Sequence, residues 1–119
     1  MQNPPDIEVT NLDREPLLDI PLTVMDFDSV QIDTSAVISL SVSNPGNDTL
    51  QITHITLNTK NFSVVPEKAT VSAGDSVTVA VTFSPDTMDT YIDTLTIASN
   101  ASQGSVIVPL QGVGVQIDN

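Results

Sequence analysis

Apolar and polar residues alternate most regularly between Val77 and Phe83. Valine or phenylalanine occupies every second position there, and threonine or alanine stands between them. Side chains of a β-strand point alternately to opposite faces of its sheet, so this pattern predicts a strand with one buried face. Turn sequences around Gly74 and Pro85 bound the strand on either side. Because a strand with a single apolar face needs a covering layer, the pattern also predicts a second sheet.

Other short segments show the same alternation, or short apolar runs bounded by turn residues. The apolar phase changes between Ile52 and Ile55, which predicts a bulge or a change of sheet near Thr53 and His54. Pro109 interrupts the last apolar segment and predicts an edge or a bulge, because proline cannot donate to a strand ladder. The further predicted strands span 22–27 with a continuation at 30–32, then 37–43, 50–57, 62–65, 69–71, 91–97 and 106–110.

Two clusters of turn residues separate predicted strands. Residues 44–48 read Asn-Pro-Gly-Asn-Asp, which predicts a hairpin between the strands on either side. Residues 100–104 read Asn-Ala-Ser-Gln-Gly and predict another turn before the last strand. About seven short strands with turns every 8–12 residues or so are typical of an immunoglobulin-like sandwich. The predicted fold is therefore all-β, an immunoglobulin-like β-sandwich of about seven antiparallel strands.

The predicted core lies between the two sheets and is built from aliphatic residues and phenylalanine, since aromatic residues make up only 3% of the chain. Helical spacing of apolar residues is absent from the sequence, in agreement with an all-β core. The predicted core residues are Ile38, Leu40, Val42, Leu50, Ile52, Phe62, Val77, Val79, Val81, Phe83, Leu95, Ile97, Val106, Val108 and Leu110.

The length of 119 residues fits one domain with a core of ordinary size. Residues 1–21 are predicted to be an N-terminal strand and linker segment, in which Ile7 and Val9 alternate with polar neighbours. Residues 11–21 are rich in charge and proline and predict a loop or linker. Residues 22–119 are predicted to form the sandwich.

The chain carries 15 acidic and 3 basic residues, a formal net charge of -12. Phosphate groups are neutralised by lysine and arginine, and the chain offers only Arg14, Lys60 and Lys68. Nucleic acids and anionic membrane surfaces are therefore not predicted partners. Membrane insertion is not predicted either, because the sequence has no run of about 18 apolar residues.

The acidic residues stand mainly in predicted loops, which favours a solvated and solubilising surface. Adaptation to high salt and weak divalent-cation binding are the alternatives. Asp86, Asp89 and Asp93 bracket one turn, and Asp26 and Asp28 are candidates to approach it. Calcium needs a cage of about six to eight oxygens, and the sequence lacks EF-hand spacing, so cation binding is not favoured.

The sequence shows no catalytic constellation. Cysteine is absent, which excludes disulfides, zinc–thiolate sites and thiol nucleophiles. His54 is the only histidine, and no serine–aspartate partner or second metal ligand accompanies it. We predict no enzyme and no catalytic, cofactor-binding or metal-binding residues. The glycosylation-type triplets at Asn47, Asn61 and Asn100 are expected by chance in a chain rich in serine, threonine and asparagine.

Asp93 and Tyr91 lie in the same predicted strand. The phase of that strand places the Asp93 carboxylate on the core side, where an unpaired charge costs several kcal/mol. We therefore predict that a bulge turns Asp93 outward or that the strand end lies at the rim, where the carboxylate reaches water. On that view Asp93→Gly changes stability by less than about 1 kcal/mol. Tyr91 resembles the tyrosine corner of immunoglobulin-like domains.

Seven motifs occur in order along the chain, and together they resemble the ASH/hydin-type immunoglobulin-like domain, a relative of the major-sperm-protein and PapD-like sandwiches. The resemblance covers Leu22 to Gly114. The family usually carries glycine where this chain has Asp28, Asp33, Asp89 and Asp93, and aspartate tolerates left-handed backbone better than most residues. The motifs are MDFDSV at 25–30, LSVSNPG at 40–46, LQITHI at 50–55, FSV at 62–64, VTVAVTFSP at 77–85, YIDTL at 91–95 and VPLQG at 108–112.

The resemblance implies a non-enzymatic structural or interaction module, one bead in a tandem array of a larger bacterial surface or exported protein. Its implied partners are neighbouring domains of the same polypeptide, or other proteins, bound through sheet edges. The implied location is extracellular or at the cell surface, with the cytoplasm as the alternative. Two other functions stay open. One is a carbohydrate- or ligand-binding accessory domain of a secreted enzyme or adhesin, and the other is a ciliary or centrosomal scaffold module.

Overall fold

A computed structural model describes residues 15–21 and 24–116. All regular structure in these residues is β-strand, and the strand predicted around Ile7 and Val9 lies outside them. The strands are β1 (Met25–Gln31), β2 (Ala36–Ser43), β3 (Leu50–Thr56), β4 (Phe62–Val65), β5 (Ala69–Val71), β6 (Ser76–Phe83), β7 (Thr90–Ser99) and β8 (Val106–Val115).

The strands form two facing sheets, which confirms the all-β immunoglobulin-like sandwich. The five-stranded sheet has the order β1-β8-β7-β3-β5, and the three-stranded sheet has the order β2-β6-β4. The prediction that every strand pair is antiparallel is wrong for one pair, because β1 runs parallel to β8. These are the first and last described strands, so no short hairpin constrains their relative direction, and a parallel pair needs only a long connection.

The turn at residues 44–48 does not close the predicted hairpin. It joins β2 to β3, which belong to different sheets. Asn44 is fully buried there, and its side-chain amide donates to the carbonyls of Asp48 at 2.7 Å and Val71 at 3.1 Å. Its side-chain oxygen accepts from the Gly46 N–H. The turn residues therefore build a crossover between the sheets. The turn at 100–104 is confirmed, since it joins the antiparallel pair β7 and β8.

Bulges interrupt two strands of the five-stranded sheet. The pairing of β3 with β7 slips between Ile52 and His54, which confirms the predicted bulge. A second slip lies between Asp26 and Ser29 of β1. There the Asp28 N–H donates to the Asp26 carboxylate at 2.9 Å. Pro109 pairs with Thr94 of β7, while the pairing of β1 with β8 begins at Leu110, so Pro109 lies at a local sheet edge as predicted.

The predicted core is largely confirmed. Ile38, Val77 and Val106 are only partly buried and pack against its margin, since they lie near strand ends. The buried members that the sequence predicted are Leu40, Val42, Leu50, Ile52, Phe62, Val79, Val81, Phe83, Leu95, Ile97, Val108 and Leu110. Buried residues that it missed include Leu18, Met25, Phe27, Val30, Ile55, Val64, Val71 and Ala101.

Residues 15–21 contain no named strand, yet they pack onto the sandwich. Leu18 is buried in the core, and its carbonyl accepts from the Gln103 side-chain amide. Asp19 and Ser43 exchange two backbone hydrogen bonds of 2.9 Å at the end of β2. The predicted domain boundary between residues 21 and 22 stays a prediction, while this segment covers part of one sheet edge.

Two of the four aspartates in family glycine positions adopt left-handed backbone. Asp28 has φ 56° and Asp33 has φ 64°, whereas Asp89 and Asp93 are not in this region. The expectation that aspartate there replaces glycine at special backbone angles therefore holds for Asp28 and Asp33.

We expect Asp28→Gly to change the free energy of unfolding by less than about 0.5 kcal/mol, because glycine adopts this φ freely. Asp28→Ala is expected to cost about 1 kcal/mol, because alanine keeps the Cβ strain of left-handed backbone and lacks the polar side chain with which aspartate tolerates it. Urea denaturation of both variants checks the prediction. Equal stabilities for glycine and alanine at position 28 would contradict it.

Candidate functional site

The outward-facing residues of the strands other than β1 carry no carboxylate. The outer face of the three-stranded sheet consists of serine, threonine, alanine and valine. On β7 and β8 the outward positions are occupied by threonine, isoleucine, alanine, proline, glutamine and valine. Asp93 is the one acidic residue within these strands, and it points inward. The remaining carboxylates of the described residues lie in loops, in residues 15–21 or on β1.

Several large apolar side chains are exposed on the β7–β8 surface. Ile92 is 71% exposed and Ile107 is 62% exposed, and Val113 contributes a third apolar side chain. A shallow groove of about 140 Å³ runs beside Ile92 and Val113, with Asp26 at its margin. We call the outward-facing residues of β7 and β8 the neutral face.

Asp93 is buried, so the prediction that it reaches water is wrong. Its side chain is only 4% exposed and lies inward, in phase with Tyr91 and Leu95. The N–H groups of Asn58 and Thr59 donate to its carboxylate at 3.0–3.1 Å. The Thr59 hydroxyl donates at 3.0 Å and the Thr94 N–H at 2.6 Å. The carboxylate is thus a fixed anchor for the loop between β3 and β4.

Burial raises the pKa of Asp93, but four hydrogen-bond donors more than offset this effect. The N–H groups of Thr94, Thr59 and Asn58, with the Thr59 hydroxyl, stabilise the charged form and hold the pKa below its ordinary value. A carboxylate whose oxygens accept hydrogen bonds from the loop and from Thr94 is suited to a structural role.

Tyr91 forms the tyrosine corner that the sequence suggested. Its hydroxyl accepts from the Thr87 N–H at 3.1 Å and donates to the Thr87 carbonyl or to the Asp86 carboxylate. The Tyr91 hydrogen bond is the largest factor in lowering the pKa of Asp86. Desolvation opposes it, and Asn61 and Lys60 add to the lowering. The Lys60 ammonium lies 3.7 Å from the Asp86 carboxylate, and both groups are exposed.

Four of the five aspartates considered for cation binding make separate contacts within the protein, and Asp28 lies in the bulge of β1. Asp93 anchors the β3–β4 loop, Asp86 bonds Tyr91, and Asp26 caps the bulge at Asp28. Asp89 accepts from the Thr90 N–H that follows it. Within residues 15–21 and 24–116, no three histidine or acidic side chains form a group able to hold a metal ion.

His54 is exposed on β3 beside the bulge and lines an open groove of about 360 Å³ between β3 and β4. We call this the β3–β4 groove. Glu67 is the one carboxylate that lines it. Its apolar lining comes from both sheets. The lining residues are His54, Ile55, Thr56, Leu57, Thr59, Phe62, Ser63, Val64 and Glu67.

The three asparagines of the glycosylation-type triplets use their side chains to hold loops. Asn47 accepts from the Glu15 N–H, Asn61 donates to the Ser84 carbonyl, and Asn100 accepts from the Gln51 N–H. These contacts give each asparagine a local structural role.

We expect sodium chloride to raise the melting temperature between low and molar concentration. Carboxylates crowd the loops, while Lys60 and Lys68 are the basic residues of the described part of the chain, so screening relieves like-charge repulsion over about 10 Å at 0.1 M salt. Calorimetry in sodium chloride checks this. A flat response would contradict the solvated-surface interpretation, and a much larger response to calcium at matched ionic strength would indicate a specific site.

The family model for the HYDIN/CFA65/VesB-like, Ig-like domain matches residues 16–113. The chain belongs to this family. The match begins within residues 15–21 and ends in β8, so it includes residues of all eight strands. It confirms the predicted resemblance to the ASH/hydin-type domain.

Solved structures with the same fold come from human and bacterial proteins. The ASH/PapD-like domain 7 of human CEP192 superposes with a TM-score of 0.79 at 13% identity, covering 99% of this chain and 92% of that chain. A Porphyromonas gingivalis W83 protein of unknown function gives 0.75 at 13% identity, covering 84% and 47%. The Vibrio cholerae VesB protease gives 0.65 at 17% identity, covering 91% and 34%. At these identities the likeness shows the fold alone.

No protein of curated function matches the chain significantly. Across the part of the chain that the structure describes, no helix has the length and apolar character needed to span a membrane. The family assignment establishes an Ig-like interaction-domain type. A more particular function has to be inferred from the surfaces described above.

Proposed function

We propose that this domain is a non-enzymatic structural or interaction module, one bead of a larger bacterial surface or exported protein. It docks to neighbouring domains of that polypeptide or to other proteins. The observation that carries the proposal is the neutral face, where Ile92 and Ile107 stand exposed in a chain with a net charge of -12. A contiguous uncharged and partly apolar surface on an otherwise acidic protein is the feature expected of a protein-binding site.

The free energy of burying the exposed isoleucines favours docking through this sheet surface. Covering an exposed isoleucine side chain contributes roughly 1.5–3 kcal/mol, and the threonines between Ile92 and Ile107 supply polar groups for a mixed interface. Asp26 beside the shallow groove and Asp89 just before β7 place carboxylates near one end of this face, so a partner approaches with less electrostatic cost if its own rim is neutral or basic. The VesB and Porphyromonas chains are two to three times as long as the region they share with this domain, which supports a module within a larger protein.

The carbohydrate-binding alternative lacks its usual platform. Exposed aromatic rings stack on sugars, but Phe27, Phe62 and Phe83 are buried here. Tyr91 is partly buried, and its ring packs against Phe83 with its hydroxyl bonded to Thr87. These four residues are all the aromatics of the chain. The aromatic residues therefore support the interaction module rather than a sugar-binding site.

Site-specific photo-crosslinking in the native host tests the proposal. A photoreactive amino acid replaces Ile92 on the neutral face in one strain and Met88 in another. Met88 is a matched control, because it is 64% exposed but lies in the β6–β7 loop. We expect a discrete protein adduct, or an intramolecular crosslink to a neighbouring domain, from position 92 alone. Equal yields from both positions, or none, would contradict docking through this face. Protease treatment of intact cells tests the proposed surface location.

A further inference from the structure

We propose that β4 is a docking edge at which an extended, basic segment of a partner protein adds a strand and places an apolar side chain in the β3–β4 groove. This inference rests on the proposed interaction function and names a second surface, separate from the neutral face. It follows from comparing the four sheet edges, from the backbone of β4, and from the lining of the groove.

Two of the four edge strands, β1 and β5, are protected against strand addition, and a third, β2, is paired with another segment at one end only. β1 is bulged and carries Asp26 and Asp28, and both a bulge and charge discourage pairing with another strand. β5 has only three residues. Asp19 pairs with Ser43 at one end of β2, and β1 of the facing sheet packs against β2. β4 has no charged residue in its sequence Phe-Ser-Val-Val and no bulge in its pairing with β6.

The backbone of β4 presents unpaired groups along its outer side. The Ser84 N–H donates to the Asn61 carbonyl at 2.8 Å, and the same register pairs Ser63 with Thr82 and Val65 with Ala80. Bonded pairs alternate along an antiparallel ladder, so residues 61, 63 and 65 bond to β6. The N–H and C=O groups of Phe62 and Val64 therefore point away from β6. Such groups specify an extended strand as their partner.

The β3–β4 groove gives that strand a place for a side chain. Phe62 and Val64 point inward from β4, and the other wall is formed by Ile55 of β3 and by Leu57, the first residue after β3. Side chains of an added strand alternate in the same way, so every second one would enter the groove of about 360 Å³. Ile55 and Phe62 form its apolar floor and are already buried, so the apolar surface that an added side chain would cover is that of the partly exposed Leu57.

The net negative charge of the chain favours a basic partner segment. Glu67 is the one carboxylate at the groove, and Lys60 and Lys68 are sequence neighbours of its lining residues Thr59 and Glu67, but the net charge of -12 makes the long-range field of the chain negative. A basic segment is attracted by this field, whereas an acidic one is repelled. The occupant we commit to is therefore an extended segment with alternating apolar residues flanked by lysine or arginine.

Hydrogen exchange on the free full-length chain is the first test. We expect the amides of Phe62 and Val64 to exchange at least about tenfold faster than those of Ser63 and Val65, which bond within the ladder. Protection of all four amides in the free protein would show that this edge is already occupied, and would overturn the proposal.

The second test uses the synthetic peptide Lys-Thr-Val-Thr-Val-Thr-Lys as the probe and nitrogen-15 NMR as the readout. We expect submillimolar binding, with shift changes and new exchange protection at Phe62 and Val64. Val64→Pro removes an outward N–H without breaking the ladder and is expected to weaken binding at least about tenfold. Ser39→Pro is its control. By the same alternation it removes an outward N–H of β2, and it should leave binding unchanged.

Glu67→Lys is a second variant that does not depend on the strand tolerating proline. We expect it to weaken binding of the peptide by about threefold or more, while Asp75→Lys, the same change in an exposed turn away from the groove, has less effect. Absence of binding, or shift changes centred on the neutral face, would overturn the docking edge. That result would not change the crosslinks expected at position 92. The docking edge and the proposed function can therefore be contradicted independently of each other.

Discussion

Replacing Phe83 with alanine is expected to lower the free energy of unfolding by about 3–5 kcal/mol, because the change removes apolar contacts and leaves a cavity. Phe83 is fully buried and lies at the centre of the aromatic cluster. Its ring centroid is 4.8 Å from that of Phe62, 5.6 Å from Phe27 and 5.3 Å from Tyr91. The ring also lies directly on Gly112, where an added Cβ would come within 2.5 Å of it.

Urea denaturation followed by circular dichroism measures this loss. Met88→Ala is the control, because Met88 is exposed in a loop and its truncation should cost less than about 0.5 kcal/mol. A loss below about 1 kcal/mol for Phe83→Ala would place Phe83 outside the energetic core.

The second large effect is expected at Asp93. Asp93→Ala leaves three backbone N–H groups and a hydroxyl without their acceptor, and we expect a cost of about 2–4 kcal/mol. Asp93→Asn keeps the shape, but its amide group faces donors on both sides, so a cost of about 1–3 kcal/mol is expected. Asp89→Asn, an exposed loop change, is the charge-matched control. Asp93→Asn as stable as its control would contradict the anchor role.

The pH dependence follows from the lowered pKa of Asp93. A carboxyl group whose pKa is lower in the folded than in the unfolded state binds fewer protons when folded. Its stabilising contribution is therefore complete above the unfolded pKa of 3.8 and is lost as the pH falls through the folded pKa. We expect the stability difference between the natural protein and Asp93→Asn to shrink below about pH 4. A difference that grows with acidification would contradict this sign.

The strand pattern explains why most of the fold was predictable. Alternation fixed the phase of β2, β6, β7 and β8, and hence which of their residues are buried. The phase change around His54 revealed the bulge, because one extra residue reverses the side-chain direction. The turn at 44–48 was misinterpreted as a hairpin because its composition does not encode which sheet follows. The crossover depends on Asn44 bonding Val71, a residue remote in sequence.

The prediction for Asp93 was wrong for the same physical reason, because its hydrogen-bond partners are remote in sequence. Strand phase correctly placed the carboxylate inward, but its donors at Asn58 and Thr59 lie 35 and 34 residues away in sequence. The expectation that Asp93→Gly is neutral is replaced by a predicted loss of stability. The uncharged outward positions of β7 and β8 follow the same alternation, but they were not identified as a surface from the sequence. The free edge of β4 and its groove follow from strand order, which the sequence does not specify.

The affinity for the partner identified by crosslinking tests the central claim, that this domain binds proteins through its uncharged sheet surface. Ile92→Lys and Met88→Lys make the same change at similarly exposed positions, one on the neutral face and one in a loop. Calorimetric titration should show Ile92→Lys weakening the partner's binding at least about tenfold, with Met88→Lys within about twofold of the natural protein. Equal losses, or no loss at Ile92, would contradict the claim.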